Sequence, residues 1–96
     1  MEPESKGYSW AWVTADRLLR QGPCELVFAY LVPSGASTGN YLRDGVDANG
    51  NLITTLECAV ATGHAFAPPR PVYCNQGLWV DIGTNTTGIF VMWRTL

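Results

Sequence analysis

Residues 24–32 read CELVFAYLV, a run in which every side chain except Glu25 is apolar. Its aromatic and β-branched content predicts a β-strand, the strongest one in the chain. Because both faces of this strand are apolar, we expect it to be central in an antiparallel fold or covered outside by a neighbouring subunit. Gln21-Gly22-Pro23 predicts a turn before the strand, and the composition of residues 33–39 (PSGASTG) predicts a loop after it.

Period-two alternation predicts further short strands on both sides of this run. In residues 8–13 (YSWAWV), Tyr8, Trp10 and Trp12 alternate with smaller residues, which indicates one heavily aromatic face. Residues 17–20 predict a short strand or a single helical turn. The remaining strands are predicted at residues 41–44, 52–60, 64–67, 72–73, 78–82 and 89–94.

Turn-forming residues separate these strands. Asn49-Gly50 is the pair best suited to a type I′ hairpin, and residues 83–87 predict another turn. Seven or eight short strands predict an all-β fold, a single antiparallel β-sandwich of jelly-roll type without substantial helix. A small closed barrel is the alternative, because strand pairing across residues 61–77 is ambiguous. Residues 1–7 are polar and acidic, so we expect a flexible N-terminal arm ahead of one domain at 8–96.

The chain has 96 residues, of which 47% are hydrophobic, a composition typical of one small globular core. The net charge is −2 and the six basic residues are scattered, which argues against a nucleic-acid partner. No apolar run approaches the roughly 20 residues of a membrane-spanning helix. The first residues also lack the apolar core of a signal peptide. We therefore expect synthesis in a cytosol and no membrane partner.

Cys24, Cys58 and Cys74 make an odd number of cysteines. In a reducing compartment we expect them to be buried thiols, with one disulfide, within or between chains, as the alternative. Cys58, His64 and Cys74 lack both CxxC pairing and a fourth ligand, so no metal site is expected. No protease signature surrounds a cysteine, so no catalytic residue is expected.

Two motifs suggest chemistry, but each is better explained as a turn. Asp47, Asn49 and Asn51 have the spacing of calcium ligands, yet Leu52 stands where an EF-hand loop requires glycine. Residues 81–87 (DIGTNTT) resemble the phosphate loop of sugar kinases and actin-like ATPases, whose two-lobed fold is far larger than this chain. We therefore expect a protein that is not an enzyme and has no cofactor.

Four tryptophans and four tyrosines exceed what one small core needs. Trp79 and Asp81 should point away from the core side of residues 78–82. Exposed aromatic side chains favour a protein interface or sugar stacking, with capping of the sandwich ends as the alternative. The candidate partner-binding residues are four aromatic side chains with two arginines at the rim: Tyr8, Trp10, Trp12, Trp79, Arg43 and Arg94.

The order of segments resembles that of small all-β virion proteins encoded among the structural genes of tailed bacteriophages. These proteins show a Ser/Gln-Gly-Pro turn before an apolar strand, an x-Asp-Gly-x-Asp-x-x-Gly hairpin, and an apolar closing strand after Gly-Leu-x-Val. The matching segments are YSWAWVTAD (8–16), QGPCELVFAYLVPSG (21–35), YLRDGVDANGNLI (41–53) and PVYCNQGLWVDIGTNTTGIFVMWR (71–94). Cys24 and Cys74 depart from the pattern, since such turns usually carry small or polar residues there.

The resemblance implies a virion structural protein, assembled in the cytoplasm of the bacterial host, and carries over no catalytic residue. The expected function is a capsid cement or decoration protein that binds the major capsid protein or other virion proteins. It would act as a symmetric homo-oligomer, with a trimer favoured over a dimer, and the two-sided apolar strands at 24–32 and 89–94 would supply the contact surface. The alternative is a tail, neck or fibre component, including a carbohydrate-binding module for host adhesion.

Overall fold

The computed structural model describes residues 7–96, which contain eight β-strands and no helix. The strands are β1 Ser9–Val13, β2 Arg17–Gln21, β3 Cys24–Asp44, β4 Asn51–Cys58, β5 His64–Phe66, β6 Val72–Cys74, β7 Gly77–Asp81 and β8 Thr84–Thr95. The predicted all-β class is confirmed. The arm predicted at 1–7 lies, except for Gly7, outside the described residues.

Strand β3 organises the sheet. All pairings are antiparallel in the order β1-β8-β3-β7-β2, and β4, β5 and β6 also pair with β3. The first half of β3 pairs with β5, β6 and β8, and its second half pairs with β4 and β7. The result is one curled sheet, because β3 runs from one half of it into the other. The division into the two sheets of a sandwich stays a prediction.

The predicted loop at residues 33–39 is wrong, because β3 continues through it and merges with the short strand predicted at 41–44. The pairing of β3 with β8 shifts register on both sides of Pro33, which is where a strand tolerates a residue without an N–H donor. Gly39 adopts a φ of 82°, a left-handed conformation that favours glycine. Pro33 and Gly39 therefore make the strand irregular here without ending it.

A buried amide holds this irregular part of β3 in place. The Nδ2 of Asn40 donates hydrogen bonds to Ser37 Oγ (2.9 Å) and to the Leu56 carbonyl (3.0 Å). Its Oδ1 accepts hydrogen bonds from the Gly83 N–H (2.8 Å) and from Thr86 Oγ1 (2.8 Å). All four hydrogen-bonding positions of the fully buried Asn40 amide are thus satisfied, and they connect β3 to β4 and β8.

The type I′ hairpin predicted at Asn49-Gly50 is also wrong. Neither residue has a positive φ, and the connection between β3 and β4 is a six-residue loop at 45–50. The Gly50 N–H donates to the Asp47 carbonyl (3.1 Å), and Asp47 Oδ1 accepts from the Asn49 N–H (2.8 Å). The loop closes tightly, since a Cβ on Gly50 would lie 2.8 Å from the Cα of Gly45.

Two further strand ends differ from the prediction by more than one residue. Residues 84–87 belong to β8, so the predicted turn at 83–87 is shorter than expected. Strand β4 ends at Cys58 and does not reach residue 60. In both places the extent of a strand is decided by the partner strand that accepts its backbone hydrogen bonds, which local composition does not show.

The core lies on one side of the curled sheet. Its fully buried apolar side chains are Val13, Cys24, Leu26, Ala29, Leu31, Leu42, Leu56, Cys74, Leu78, Val80, Ile89 and Val91. All three cysteines are buried free thiols, as predicted. Leu78 and Val80 face the core, and Trp79 lies between them on the other side of β7, as the alternation predicted. Within residues 7–96, large aromatic side chains on the outer sides of β1 and the first half of β3 stay exposed, among them Trp10, Trp12 and Tyr30.

Candidate interaction surface

The outward side chains of β1, β8 and the first half of β3 form one apolar surface. In the register of these strands, β1 places Trp10 opposite Met92 and Trp12 opposite Phe90. Strand β3 places Phe28 opposite Met92 and Tyr30 opposite Phe90 from the other side. We call these six residues the aromatic face: Trp10, Trp12, Phe28, Tyr30, Phe90 and Met92.

Phe90 is the centre of the aromatic face. Its ring centroid lies 6.0 Å from that of Trp10, with an interplanar angle of 26°. It lies 6.1 Å from the ring of Phe28 at an angle of 57°, so the three rings pack as one cluster. Trp10 is nevertheless 66% exposed, Trp12 43% and Tyr30 37%. Large aromatic side chains in one exposed patch are typical of a binding surface.

A charged pair borders the aromatic face. Arg94 lies opposite Glu25 in the β3–β8 register, and its Nη2 donates a hydrogen bond to Glu25 Oε1. This hydrogen bond, with the negative charge of the carboxylate, raises the pKa of Arg94 above its usual value. The guanidinium carbon of Arg94 also lies 5.9 Å from the ring centroid of Tyr8, within cation–π range. The border of the aromatic face is therefore polar, and the positive charge of Arg94 is balanced there by the negative charge of Glu25.

Four of the six predicted partner-binding residues are thus brought together. Trp10 and Trp12 belong to the aromatic face, and Tyr8 and Arg94 lie at its border. This agrees with the predicted placement of Trp10 and Trp12 on one side of their strand. That they bind a partner stays a prediction.

Arg43 and Trp79 lie elsewhere, opposite each other on the second half of β3 and on β7. Both bind the carboxylate of Asp81: Arg43 Nε donates to Oδ2 (2.7 Å) and Trp79 Nε1 donates to Oδ1 (2.7 Å). Arg43 Nη1 also donates to the Gly50 carbonyl (3.2 Å), and its guanidinium lies 5.0 Å from the Tyr41 ring centroid. Because Asp81 is only 9% exposed, these contacts hold a buried carboxylate within the chain.

Sequence reasoning did not name Phe28, Tyr30, Phe90 or Met92 individually. The available signal was the apolar character of both faces in residues 24–32 and 89–94. Only the register of β8 between β1 and β3 shows which of those side chains join Trp10 and Trp12.

Other kinds of site find little support in residues 7–96. No group of three or more His, Cys, Asp or Glu residues in that range could hold a metal ion. His64 Nδ1 instead accepts a hydrogen bond from the Glu57 N–H (3.2 Å). None of the described segments is a helix long and apolar enough to cross a membrane.

Comparisons with protein-family models, with curated proteins and with solved structures find no match to this chain.

Proposed function

We propose that this protein is a non-enzymatic virion structural protein of a tailed bacteriophage, a capsid cement protein that binds the outer shell through the aromatic face. The aromatic face is the observation that carries the proposal. The resemblance of the segments at 8–16, 21–35, 41–53 and 71–94 to phage virion proteins supports the choice of partner. The protein would be assembled into the virion in the cytoplasm of the bacterial host.

The aromatic face is not needed to fill the core, since the inner sides of the same strands already do so. Leu26, Leu31 and Val91 on these strands are fully buried, while Trp10 and Trp12 on the outside remain exposed to water. Removing apolar surface from water gives about 25 cal/mol per Å², so a partner that covers these rings gains substantial binding free energy. Tryptophan and tyrosine are also the residues most enriched at energetically dominant positions of interfaces.

The edge of the sheet supports association between copies. β1 is terminal in the strand order, so one side of its backbone has no neighbouring strand among the described residues. Such edges tend to pair with other chains unless they are covered. A closed symmetric oligomer, a trimer or a dimer, would cover this edge and part of the aromatic face next to it.

Binding to capsid shells tests the proposal. In the double variant Trp10→Ala/Trp12→Ala, we expect at least a roughly tenfold loss of affinity for shells of the major capsid protein, because two anchor rings are removed. Leu52→Ala is the matched control, since Leu52 is 55% exposed on β4, outside the aromatic face. Circular dichroism should show the same fold in both variants. Binding of the double variant at the wild-type level would refute the proposal.

A second candidate is a carbohydrate-binding module on a tail, neck or fibre. The observation in its favour is the exposed indole of Trp10, which lies nearly parallel to the Phe90 ring and offers a flat platform for a sugar ring. Saturable quenching or shift of tryptophan fluorescence by a polysaccharide, absent in Trp10→Ala, would support this function. Copy number separates the two: a shell protein is present in amounts comparable with the major capsid protein, and an adhesion module in only a few copies.

A further inference from the structure

Two of the three cysteines form a pair across neighbouring strands. Cys24 and Cys74 lie directly opposite each other in the antiparallel pairing of β3 with β6. Both are free thiols with no exposed surface, and both point to the inner side of the sheet. Directly opposed residues of an antiparallel pair have Cα atoms about 4.5–5.5 Å apart. That separation lies within the roughly 4.4–6.8 Å that a disulfide spans, so the backbone need not move for a bond to form.

The two thiols also interact with each other. The side-chain interaction between them lowers the pKa of Cys24 and raises the pKa of Cys74. Burial opposes this effect at Cys24 and adds to it at Cys74. The hydrogen bond of the Cys74 thiol goes to the Val72 carbonyl (3.6 Å). The positive charge of Arg20 lowers the pKa of Cys24 further, and the carboxylates of Asp44 and Glu25 act in the opposite direction. Of the two thiols, Cys24 is the one whose pKa is lowered, so it is the one more readily converted to the nucleophilic thiolate.

Access to the pair depends on β6. This strand has three residues, each paired with β3, and it is followed by a turn that the Asp44 carboxylate holds. Asp44 Oδ2 accepts from the Asn75 N–H (2.9 Å) and its Oδ1 accepts from the Gln76 N–H (2.8 Å). Short strands with few hydrogen bonds open locally at a small fraction of the free energy of global unfolding. Opening of β6 exposes the pair to a small oxidant.

We propose that Cys24 and Cys74 are a redox site that forms an intramolecular disulfide when the protein meets a hydroperoxide. The Cys24 thiolate attacks a peroxide oxygen, so that an S–O bond forms, the O–O bond breaks and hydroxide leaves. The Cys74 thiol then loses its proton and attacks Cys24 Sγ, which forms the S–S bond and expels the oxygen as water. Two thiols are oxidised and one hydrogen peroxide is reduced to two waters.

Cys58 provides an internal control. It lies on β4 opposite Ser37, so it has no cysteine as its cross-strand neighbour. It is buried to nearly the same degree, with 8% exposure. If burial alone decided which thiols peroxide oxidises, Cys58 would react as the pair does. If strand register decides it, Cys58 stays reduced.

The test uses the full chain, reduced, freed of reductant and then treated with hydrogen peroxide. The intact oxidised protein should be lighter than the reduced protein by two hydrogen atoms. After alkylation under denaturing conditions, peptide mapping should show Cys24 linked to Cys74 and Cys58 alkylated. The disulfide closes a long loop, so the melting temperature should rise by on the order of 10 °C and return when dithiothreitol is added. Cys58→Ala should behave like wild type, and Cys74→Ala should show neither the bond nor the rise.

Three results would overturn the proposal: a bond that includes Cys58, a bond between two chains, or complete alkylation of Cys24 and Cys74 after peroxide treatment. Peptide mapping of the wild-type protein gives each of these results even if Cys74→Ala does not fold. The outcome is independent of the proposed virion function, since no capsid is present in the experiment.

Discussion

The indole ring of Trp12 lies against the backbone of Gly88 on the neighbouring strand, where a Cβ would be 2.6 Å from Cε2 of the ring. Any side chain at residue 88 would therefore displace the ring. Glycine weakens a strand in general, and a strand glycine often marks a place where another group approaches the backbone closely. Here the approaching group is part of the aromatic face, so Gly88 determines how one of its two tryptophans lies.

Replacement of Gly88 by alanine should therefore move Trp12 and destabilise the fold by about 1–3 kcal/mol, as expected for overpacking. Urea denaturation and the tryptophan emission maximum would measure both effects. Gly35→Ala is the matched control, since its Cβ would meet Asn85 at an ordinary distance of 3.7 Å. Equal stability of the two variants would show that the ring moves away freely.

Asn40 is expected to be among the most sensitive polar positions. Asn40→Ala removes the acceptor of the Gly83 N–H and the buried donor to the Leu56 carbonyl, which should cost about 2–4 kcal/mol. Thr38→Ala, which removes only the exposed 3.4 Å contact with Thr84, should change stability by less than about 0.5 kcal/mol. Denaturant unfolding of both variants measures the loss in free energy of unfolding. A loss of similar size in each would show that the hydrogen bonds of the Asn40 amide have no special role in stability.

Trp79 is expected to contribute to stability through its N–H group. Trp79→Phe keeps the aromatic ring but removes the hydrogen bond to Asp81, which should cost about 1.5–3 kcal/mol for a bond to a charged acceptor. Arg43→Ala removes the other partner of the same carboxylate, and the double variant should show non-additive losses. Shell binding of Trp79→Phe, measured beside thermal unfolding, separates a contact residue from a purely structural one.

Oxidation of the cysteine pair should depend on pH with a midpoint below that of an ordinary thiol. The pKa of Cys24 is lowered, so its thiolate fraction rises as the pH increases through a lower value than for an isolated cysteine. Rates of peroxide-driven disulfide formation between pH 6 and 10, roughly the range around thiol ionisation, would give the midpoint. Alkylation of Cys24 in Cys74→Ala should have a higher midpoint than in the wild type, because the neighbouring thiol that lowers the pKa of Cys24 is gone. An unchanged midpoint would show that Cys74 does not lower the pKa of Cys24.

Self-association should depend on the aromatic face. Sedimentation of Trp10→Ala/Trp12→Ala should show a smaller oligomer than wild type, and Leu52→Ala should sediment as wild type does. The reason is that Trp10 and Trp12 are the most exposed side chains of the aromatic face, so a second copy that covers it removes their rings from water. If the wild-type protein stays monomeric at all concentrations, the proposed homo-oligomer is wrong. The capsid shell would then be the proposed partner of the aromatic face.

Period-two patterns determined much of the molecule from the sequence alone. The all-β class, the shared side of Trp10 and Trp12, and the opposite orientation of Leu78 and Trp79 all follow from alternation within a single strand. The burial of the cysteines follows from their apolar character and their place in apolar strands. These features are local, so neighbouring residues are enough to predict them.

Tertiary structure alone decided which strands meet. The continuation of β3 through residues 33–39 depends on pairing with β8, about fifty residues away in the chain, and this pairing overrides a composition typical of loops. The contact between Trp12 and Gly88, the cluster around Phe90 and the opposition of Cys24 to Cys74 depend on register in the same way. A pattern within one strand shows which face a side chain occupies, but only the alignment of distant strands determines which residues share that face.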